Sequence, residues 1–359
     1  MIKIDGSFCE GGGQILRTAL ALSALTQTPF EVNDIRKGRC SPGLKNQHLF
    51  CVNALQDLCN AEVEGNSIGS TYLRFKPNKI SGKTISINIE TAGSITLLLQ
   101  SVLLPSFFAD KKVRLKITGG TDVKWSQPID YFKEVLLPQL NKYANIEFKL
   151  INRGYYPKGN GKADVKIKPK FCLKDFKDIT DFRKALPKIN LMEQGNLIQV
   201  KGISHASIDL EKAQVAERQK SAAKLILSKL TCPIDIKTEY SETLSTGSGI
   251  TLWAIFSKDE GEIDFVNPIR IGTDCLGEKG KRAEEVGKNA AERLINEINY
   301  KAPVDEYLAD NLIPFLALNG KQIKIAKISS HTLTNIHVAE QFFGKIFDID
   351  KINNIISLK

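Results

Sequence analysis

The feature that most constrains the fold of this chain is a pattern of secondary structure that occurs twice before residue 170. In the first copy, hydrophobic periodicity predicts a strand at 2–5, a helix at 14–25, a strand at 30–36, a helix at 43–60 and a hairpin near 62–77. The second copy has a strand at 84–90, a helix at 93–109, a strand at 112–118, a helix at 128–143 and strands near 146–155 and 162–169. A period of about 80 residues indicates repetition of a strand–helix–strand–helix–two-strand unit.

The remaining residues predict the closing half of a third unit, preceded by an insertion. A helix at 303–318, a strand at 321–328, a helix at 332–344 and a strand at 345–349 belong to that third unit. The insertion has a basic amphipathic helix at 214–230, strands near 234–240 and 249–257, and a helix at 281–299. We therefore expect an α/β (α+β) fold, with a main domain of three repeated units at 1–182 and 303–359 and a smaller inserted α/β domain at 183–302.

Composition narrows the class of protein. With 359 residues, 42% of them apolar and 25% charged, the chain is typical of a globular protein with two cores. It has neither a signal peptide nor an apolar run of membrane-spanning length, so we expect a cytoplasmic protein without a membrane partner. Seven cysteines without a CxxC pair argue against a disulfide framework or a zinc knuckle. The net charge of +10 suits a polyanion such as RNA, although a lysine-rich proteome would give the same excess.

A glycine-rich segment at residues 5–17, DGSFCEGGGQILR, joins the first predicted strand to the first predicted helix. Glycines let the backbone approach a ligand closely, and unpaired N–H groups at a helix start favour anions. Glu10, before the glycines, could hold a divalent metal, and Arg17, one turn into the helix, could reach a phosphate. A tight turn with a solvated Glu10 is the alternative, because glycine-rich loops alone are weak evidence of function.

A second polar segment at residues 36–48, RKGRCSPGLKNQH, follows the next predicted strand. Around its Pro42-Gly43 turn it supplies side chains that suit phosphate: Arg36, Arg39, Lys45, Gln47 and His48. Any one of these arginines alone could simply face water. Together with the glycine-rich segment, the set indicates a phosphate pocket.

Two further segments, RGYYPKGNG at 153–161 and SHTLTN at 330–335, complete a pattern that resembles the RNA 3′-terminal phosphate cyclase family. The resemblance extends over the whole chain, and the opening motif DGSxxEGGGQILR is its most specific part. It implies an enzyme that uses ATP to convert an RNA 3′-phosphate into a 2′,3′-cyclic phosphodiester, while a histidine carries AMP covalently. It also implies three repeated units with a smaller inserted domain, ATP and a divalent metal (Mg or Mn) as cofactors, and RNA with a 3′-phosphate end as the partner. A homodimer is left open.

The resemblance places the AMP-accepting nucleophile at His331, whose alternative role is that of a surface histidine near a helix cap. Imidazole suits a nucleophile at neutral pH because its ordinary pKa, near 6.5, leaves a neutral nitrogen. By the same resemblance, ATP or AMP would contact Glu10, Gln100, Pro128, Glu306, Tyr307 and Asp310, with Glu10 also on the metal. The phosphate and RNA end would contact Arg17, Arg36, Arg39, Gln47 and His48. The tract before Pro128 has fewer prolines than the family usually carries, so Trp125 is a second candidate for stacking on a base.

Two other functions remain open. A non-catalytic, RNA-binding ribosome-assembly relative of the same fold would lack the histidine, whereas His331 is present here with its flanking threonines and asparagine. An enolpyruvyl transferase is built from similar repeats but acts on small acids, and the basic segment 36–48 argues against it.

Overall fold

Strands and helices alternate along the chain in the computed structural model, which describes residues 1–9, 11–258, 262–265 and 267–359. The first unit contains β1 (Ile2–Asp5), α1 (Gly13–Thr26), β2 (Phe30–Asn33), α2 (Asn46–Cys59), β3 (Glu62–Glu64) and β4 (Leu73–Lys76). The second unit contains β5 (Thr84–Asn88), α3 (Ile95–Ser106), β6 (Val113–Gly119), α4 (Ile129–Tyr131), α5 (Leu137–Leu140), β7 (Ala144–Asn152) and β8 (Gly161–Pro169). A π-helical turn at Phe132–Leu136 joins α4 to α5, so the helix expected at 128–143 is irregular in its middle.

The third unit is interrupted. It begins with α6 (Ile179–Ala185) and β9 (Ile189–Leu191), and ends with α9 (Glu306–Asn319), β14 (Gly320–Lys324), α10 (Ser330–Phe343), β15 (Phe347–Asp350) and β16 (Ile355–Leu358). Between β9 and α9 lie β10 (Asn196–Ser207), α7 (Val215–Leu227), β11 (Ile234–Ser241), β12 (Ser248–Ser257), β13 (Ile269–Leu276) and α8 (Ala283–Asn299). Among the described helices, none is long and apolar enough to cross a bilayer.

One strand order occurs in all three sheets of the repeated units: β1-β2-β4-β3, β5-β6-β8-β7 and β9-β14-β16-β15. In each sheet the first two strands are parallel and the other pairs are antiparallel. The expected mixed α/β fold is therefore confirmed. Strand β9 lies within the range 183–302 that we assign to the insert, yet it pairs with β14, which moves the start of the insert to after Leu191. The division into two domains stays a prediction.

The segment between β2 and α2 is a longer loop than the periodicity predicts. Strand β2 ends at Asn33 because Asp34 and Arg36 adopt positive φ angles of 54° and 57°. Helix α2 begins only at Asn46, since Gly43 has a φ of 76° and a Cβ there would lie 2.2 Å from the Gly69 carbonyl oxygen. Residues 34–45 are thus free of regular structure, and they carry two of the arginines predicted to bind phosphate.

Helix α1 is the centre of the main core. Its residues are apolar on nearly every side, and Ile15 to Leu25 are all buried. The helix packs against α3 of the second unit and α10 of the third unit. A helix surrounded in this way must be apolar all round. Its position also brings the start of α1, with the glycine-rich segment, close to the other two units.

The insert has its own core and shares a strand with the main one. Its sheet has the order β11-β10-β12-β13, and α7 and α8 pack against it. Strand β12 is buried along its whole length, because its two faces meet different cores. Leu252, Ala254 and Phe256 belong to the core of the insert, whereas Trp253 and Ile255 belong to the main core. This alternation follows from the two-residue period of a strand.

A buried charge cluster also joins the second unit to the insert. The Arg153 guanidinium, 1% exposed, lies 3.0 Å from Asp122 Oδ2 and 2.7 Å from Asp130 Oδ2, and it also contacts Glu239 of β11. The His205 ring of β10 has Nε2 3.4 Å from Asp122 Oδ1. Burial and the Arg153 charge lower the pKa of His205 to about 3, so this histidine is neutral at physiological pH.

Candidate active site

The predicted site residues lie on loops and helix starts that follow the parallel strand pairs of the three units. These loops come after β1, β2, β5, β6 and β14, at the carboxyl ends of the strands. In open α/β sheets this is where ligands bind. The repeated topology therefore places side chains from all three units at one end of their sheets.

Gly12 and Gly13, at the start of α1, leave room for neighbouring side chains that a larger residue would displace. A Cβ on Gly13 would lie 2.1 Å from His48 Nε2 and 3.2 Å from Arg17 Nη1. A Cβ on Gly12 would lie 3.4 Å from Arg39 Nη2. The start of α1 is thus in direct contact with three of the residues that the sequence predicts to bind phosphate.

His48 is held as a neutral hydrogen-bond donor. Its Nδ1 accepts a hydrogen bond of 3.0 Å from the Lys45 backbone N–H, which assigns the remaining proton to Nε2 on the side of Gly13. Burial, together with the charges of Arg17, Arg36 and Lys45, lowers the pKa of His48 to about 3. A neutral imidazole with an Nε2–H in this position can donate to a phosphate oxygen.

Arg17, which is buried, and Arg36, which is half-buried, are held by different hydrogen-bond partners. Arg17 is buried, its Nε donates to Gln100 Oε1 at 3.0 Å, and burial lowers its pKa from the ordinary value. Arg36 donates through Nη1 to the carbonyl oxygens of Ser41 and Gly43, at 2.8 and 3.0 Å, so it holds the 34–45 loop in shape. Burial, together with the nearby charge of Arg39, lowers the pKa of Arg36. Arg39 itself is exposed.

Gln47 joins the first unit to the second. Its Oε1 accepts from the Ser94 backbone N–H at 2.7 Å, and its Nε2 donates to the Ser94 carbonyl oxygen at 2.9 Å. Ser94 is the N-cap of α3, and Gln47 lies in the first turn of α2. The first turns of α1, α2 and α3 therefore meet, and their unpaired N–H groups favour an anion there.

The side chains predicted to contact the adenine and ribose lie in α9 and in the loop before α4. Tyr307 is 43% exposed, and its ring packs edge-on against Tyr131 with centroids 5.9 Å apart. Glu306 is half-buried beside it. Pro128 is buried, whereas Trp125 is 94% exposed with a φ of 62°. Of the two candidates for stacking in this loop, Trp125 is the one with a free ring face.

A chain of hydrogen bonds connects the phosphate side to the nucleotide side through all three units. Arg17 bonds to Gln100, whose Nε2 donates to Asn311 Oδ1 at 3.1 Å. The Tyr307 carbonyl oxygen accepts from both Asn311 and Gln127, and the Gln127 carbonyl oxygen accepts from Thr96. The Thr96 and Ser94 hydroxyls are 2.8 Å apart, and Ser94 bonds to Gln47. We call this set the polar chain: Arg17, Gln100, Asn311, Tyr307, Gln127, Thr96, Ser94 and Gln47.

His331 is the second residue of α10, and the start of this helix is anchored by Asp310. The N-cap Ser329 donates to Asp310 Oδ1 at 3.0 Å, and Thr332 donates to the same oxygen at 2.7 Å. Ser329 Oγ also accepts from the Thr332 backbone N–H. Burial raises the pKa of Asp310 to about 7, although these two hydrogen bonds oppose the shift. His331 is half-buried at this anchored helix start.

His337 is placed apart from the helix start. Its ring stacks on Phe8, with centroids 3.8 Å apart and an interplanar angle of 12°. Six residues of helix separate it from His331, about 9 Å at 1.5 Å per residue. A small cleft opens between α1, α3, α9 and α10 beside Asp310 and Gln100.

Several residues of this site carry no individual prediction from the sequence. Asn311 bridges Gln100 and Tyr307, and Asn335 donates to the Asp310 carbonyl oxygen at 2.6 Å while it accepts from Thr18. Ser94 and Gln127 complete the polar chain. The sequence feature that could have identified these residues is their position, because each lies within or beside a segment that carries the family resemblance.

The metal prediction concerns a residue outside the described part of the chain. Glu10 lies between the described ranges 1–9 and 11–258, so its role on a metal or on ATP stays a prediction. Within the described ranges, the buried group with metal-ligand side chains is Asp122, Asp130 and His205, away from His331. Arg153 contacts both aspartates, so its positive charge already occupies the place of a cation there.

Comparison with known proteins shows the family of this chain. The model of the RNA 3′-terminal phosphate cyclase family matches residues 8–349. A relative of that name from Pyrococcus furiosus is 47% identical over 350 residues, which cover 97% of this chain and 95% of the relative. One from Pyrococcus abyssi is 45% identical over 351 residues (98% and 95%), and one from Saccharolobus solfataricus is 44% identical over 356 residues (97% and 96%). Matched over nearly its whole length by the family model and by these relatives, the chain belongs to the RNA 3′-terminal phosphate cyclase family.

Proposed function

We propose that this protein is an ATP-dependent RNA 3′-phosphate cyclase. His331 attacks the α-phosphate of ATP, forming a histidyl-AMP and releasing pyrophosphate. The AMP then passes to the RNA 3′-phosphate, and the neighbouring 2′-OH displaces it to close the 2′,3′-cyclic phosphodiester. The last step is favoured because the attacking hydroxyl and the phosphorus are held on one ribose.

The position of His331 is the observation that carries this proposal. It lies in the first turn of α10, where the N–H groups and the helix dipole favour a bound phosphate. Ser329 and Thr332, on either side of the Ser330-His331 pair, both donate hydrogen bonds to Asp310, so the backbone of the helix start that carries His331 is held in place. A nucleophile that must meet a phosphorus atom in line needs such a fixed position.

The remaining residues receive roles from their surroundings. Arg17, Arg39 and the Nε2–H of His48 would hold the RNA phosphate beside the glycines, with Gln47 orienting the start of α3 and Arg36 shaping the loop. Tyr307 would stack on the adenine with Pro128 or Trp125, while Glu306, Asp310 and Gln100 would line the nucleotide. A divalent metal would neutralise phosphate charge, and Glu10 is its predicted ligand. We place this reaction in the cytoplasm; association into a homodimer stays a prediction.

The test is incubation with α-labelled ATP, followed by denaturing electrophoresis. The wild-type protein should retain an acid-labile label, the His331→Ala protein should retain none, and the His337→Ala protein should retain label like wild type. The fold should survive the His331 substitution, because a half-buried residue at a helix entrance typically costs under about 1 kcal/mol. RNA supplied with its 3′-phosphate already adenylylated should still be cyclised by His331→Ala.

Each alternative gives a different result. Label on His331→Ala but not on His337→Ala would assign the nucleophile to His337, and label on both variants would place it elsewhere. A wild-type protein that binds RNA but never retains label would be the non-catalytic relative. The enolpyruvyl transferase would retain no AMP and would not cyclise the adenylylated RNA.

A further inference from the structure

The solvent face of the second sheet carries an excess of positive charge. Its outward side chains on β6, β7 and β8 include six basic residues, Arg114, Lys116, Lys149, Lys162, Lys166 and Lys168. Only two acidic residues, Glu147 and Asp164, share that face. The opposite side of these strands is apolar and packs into the main core.

The first sheet, which has the same strand order, is balanced on the corresponding face. It carries Lys3, Arg74 and Lys76 against Asp5, Glu31, Glu62 and Glu64. Each of its three basic side chains is in an ion pair with a glutamate. The repeated topology therefore does not require a basic face, and the second sheet departs from its own counterpart.

The positive charge on the second sheet is only partly neutralised. Arg114 pairs with Asp164 and Lys166 pairs with Glu147, which leaves Lys116, Lys149, Lys162 and Lys168 in no ion pair within the described ranges. Arg114 and Lys166 are also directly opposite each other on β6 and β8. Like charges opposite each other destabilise a sheet, and Asp164, which is directly opposite both Lys116 and Lys149, is a single acidic residue facing two lysines.

The basic face leads toward the candidate active site. The carboxyl end of β6 and the amino end of β8 meet at the Gly119–Gly161 pair, and the residue after β6, Gly120, donates its N–H to the Gly93 carbonyl oxygen. Gly93 precedes Ser94, the partner of Gln47. Lys162 is next to this end, and Lys168 is six residues further along β8, about 20 Å at 3.3 Å per residue. That length matches about six phosphates of a stacked strand at 3.4 Å each.

We propose that the face formed by Lys116, Lys149, Lys162 and Lys168 binds the phosphate backbone of the RNA upstream of its 3′ end. The inference rests on the proposed function, because it takes the RNA end to lie beside Gln47 and His48. It matches the unneutralised positive charge of this face to a polyanion whose phosphates release counterions as they meet lysines. Since lysine acts as a point charge, the contacts are with the backbone and are independent of base sequence.

The experiment compares two triple variants with the same loss of charge. The first is Lys116→Gln, Lys162→Gln and Lys168→Gln on the second sheet; the control is Lys3→Gln, Arg74→Gln and Lys76→Gln on the first sheet. Binding of a 20-nucleotide RNA with a 3′-phosphate is measured across salt concentrations, with a 3′-phosphorylated trinucleotide as the short probe. All six residues are on the outward faces of their sheets, so both variants should keep the thermal unfolding midpoint of wild type within a few degrees.

The first variant should lose affinity for the long RNA by on the order of 10²-fold at 0.1 M salt, and its salt slope should flatten by about 2, since each single-strand contact contributes about 0.7. The control and the trinucleotide should change little. Equal losses of RNA affinity in both variants would overturn the assignment. No loss in either variant would overturn it as well, and would fit a face that binds an acidic protein instead. If a triple variant unfolds, Lys162→Gln alone should still flatten the slope by about 0.7. If the wild-type protein binds RNA normally but takes no AMP label, the proposed cyclase activity is refuted while the proposed RNA-binding face is retained.

Discussion

Replacing Gly13 with alanine should impair catalysis while the protein still folds. The backbone at Gly13 is in the first turn of α1 and has no positive φ, so alanine is conformationally allowed there. The new Cβ, however, would lie 2.1 Å from His48 Nε2, whereas ordinary contacts begin at 3.4 Å. The imidazole must therefore move by at least about 1.3 Å. Because misplacement of a positioned group by about 1 Å can lower a rate roughly 10²-fold, we expect that loss in cyclisation under single turnover.

Gly12→Ala is the matched control. Its Cβ would be 3.4 Å from Nη2 of the exposed Arg39 side chain, which is an ordinary contact distance, so the rate should stay within a few-fold of wild type. Thermal unfolding should show Gly13→Ala still folded but less stable than wild type by about 1–3 kcal/mol, because the buried His48 ring must shift and the gain in helix propensity, up to about 1 kcal/mol, offsets only part of that cost.

A double-mutant cycle identifies the cause. If the clash acts through His48, then Gly13→Ala should have no further effect on the rate of His48→Ala, because the displaced ring is gone. Additive losses in the double variant would show that Gly13 acts through another contact. A Gly13→Ala enzyme with wild-type rate would refute the argument that the glycine makes room for His48.

Three other substitutions test the buried and exposed charges. Arg153→Met should lower the free energy of unfolding by about 3–5 kcal/mol in urea denaturation, because Asp122 and Asp130 keep buried charges without a partner; adding Asp122→Asn and Asp130→Asn should restore most of it. Burial raises the pKa of Asp310 to about 7, so its folded state holds a proton that the unfolded state releases near pH 4, and wild-type stability should fall as pH rises from about 4 to 7. Asp310→Asn cannot titrate, so its stability relative to wild type should grow over that window, by roughly 4 kcal/mol at most; an identical pH dependence would contradict the shift. Arg39→Ala should weaken RNA binding and flatten its salt slope by about 0.7 while leaving unfolding unchanged, and an unaltered slope would place Arg39 outside the RNA contact.

Local patterns predict most of the main domain but less of the insert. The repeated units were predictable because their helices and strands have distinct apolar periods, as in α1 and β6. Strand β9 has three residues, too few for a period, and it owes its place to pairing with β14 far along the chain. Strands β10 and β13 of the insert were also missed, since their neighbours in the sheet decide their structure.

The candidate site divides in the same way. The glycine-rich segment and the 36–48 segment predict the neighbourhood of Arg17, Arg39 and His48, which the structure places together around Gly12 and Gly13. The partnership of Gln100 with Asn311 spans 211 positions of sequence, and no local pattern encodes it. The exposure of Trp125 and the burial of Pro128 likewise depend on packing between units rather than on the loop alone.

Because of the polar chain, ligand binding at the site is thermodynamically linked to unfolding of the whole main domain. Its members come from all three units, and the Thr18–Asn335 hydrogen bond beside it closes a loop of 317 positions. Contacts of such high sequence separation form late in folding, so the site exists only when the first and last units are already docked. A ligand bound along the polar chain therefore stabilises the contact between the first and third units. At a concentration of 100 times its Kd it would add about 2.7 kcal/mol to the stability of the whole main domain, rather than to one unit.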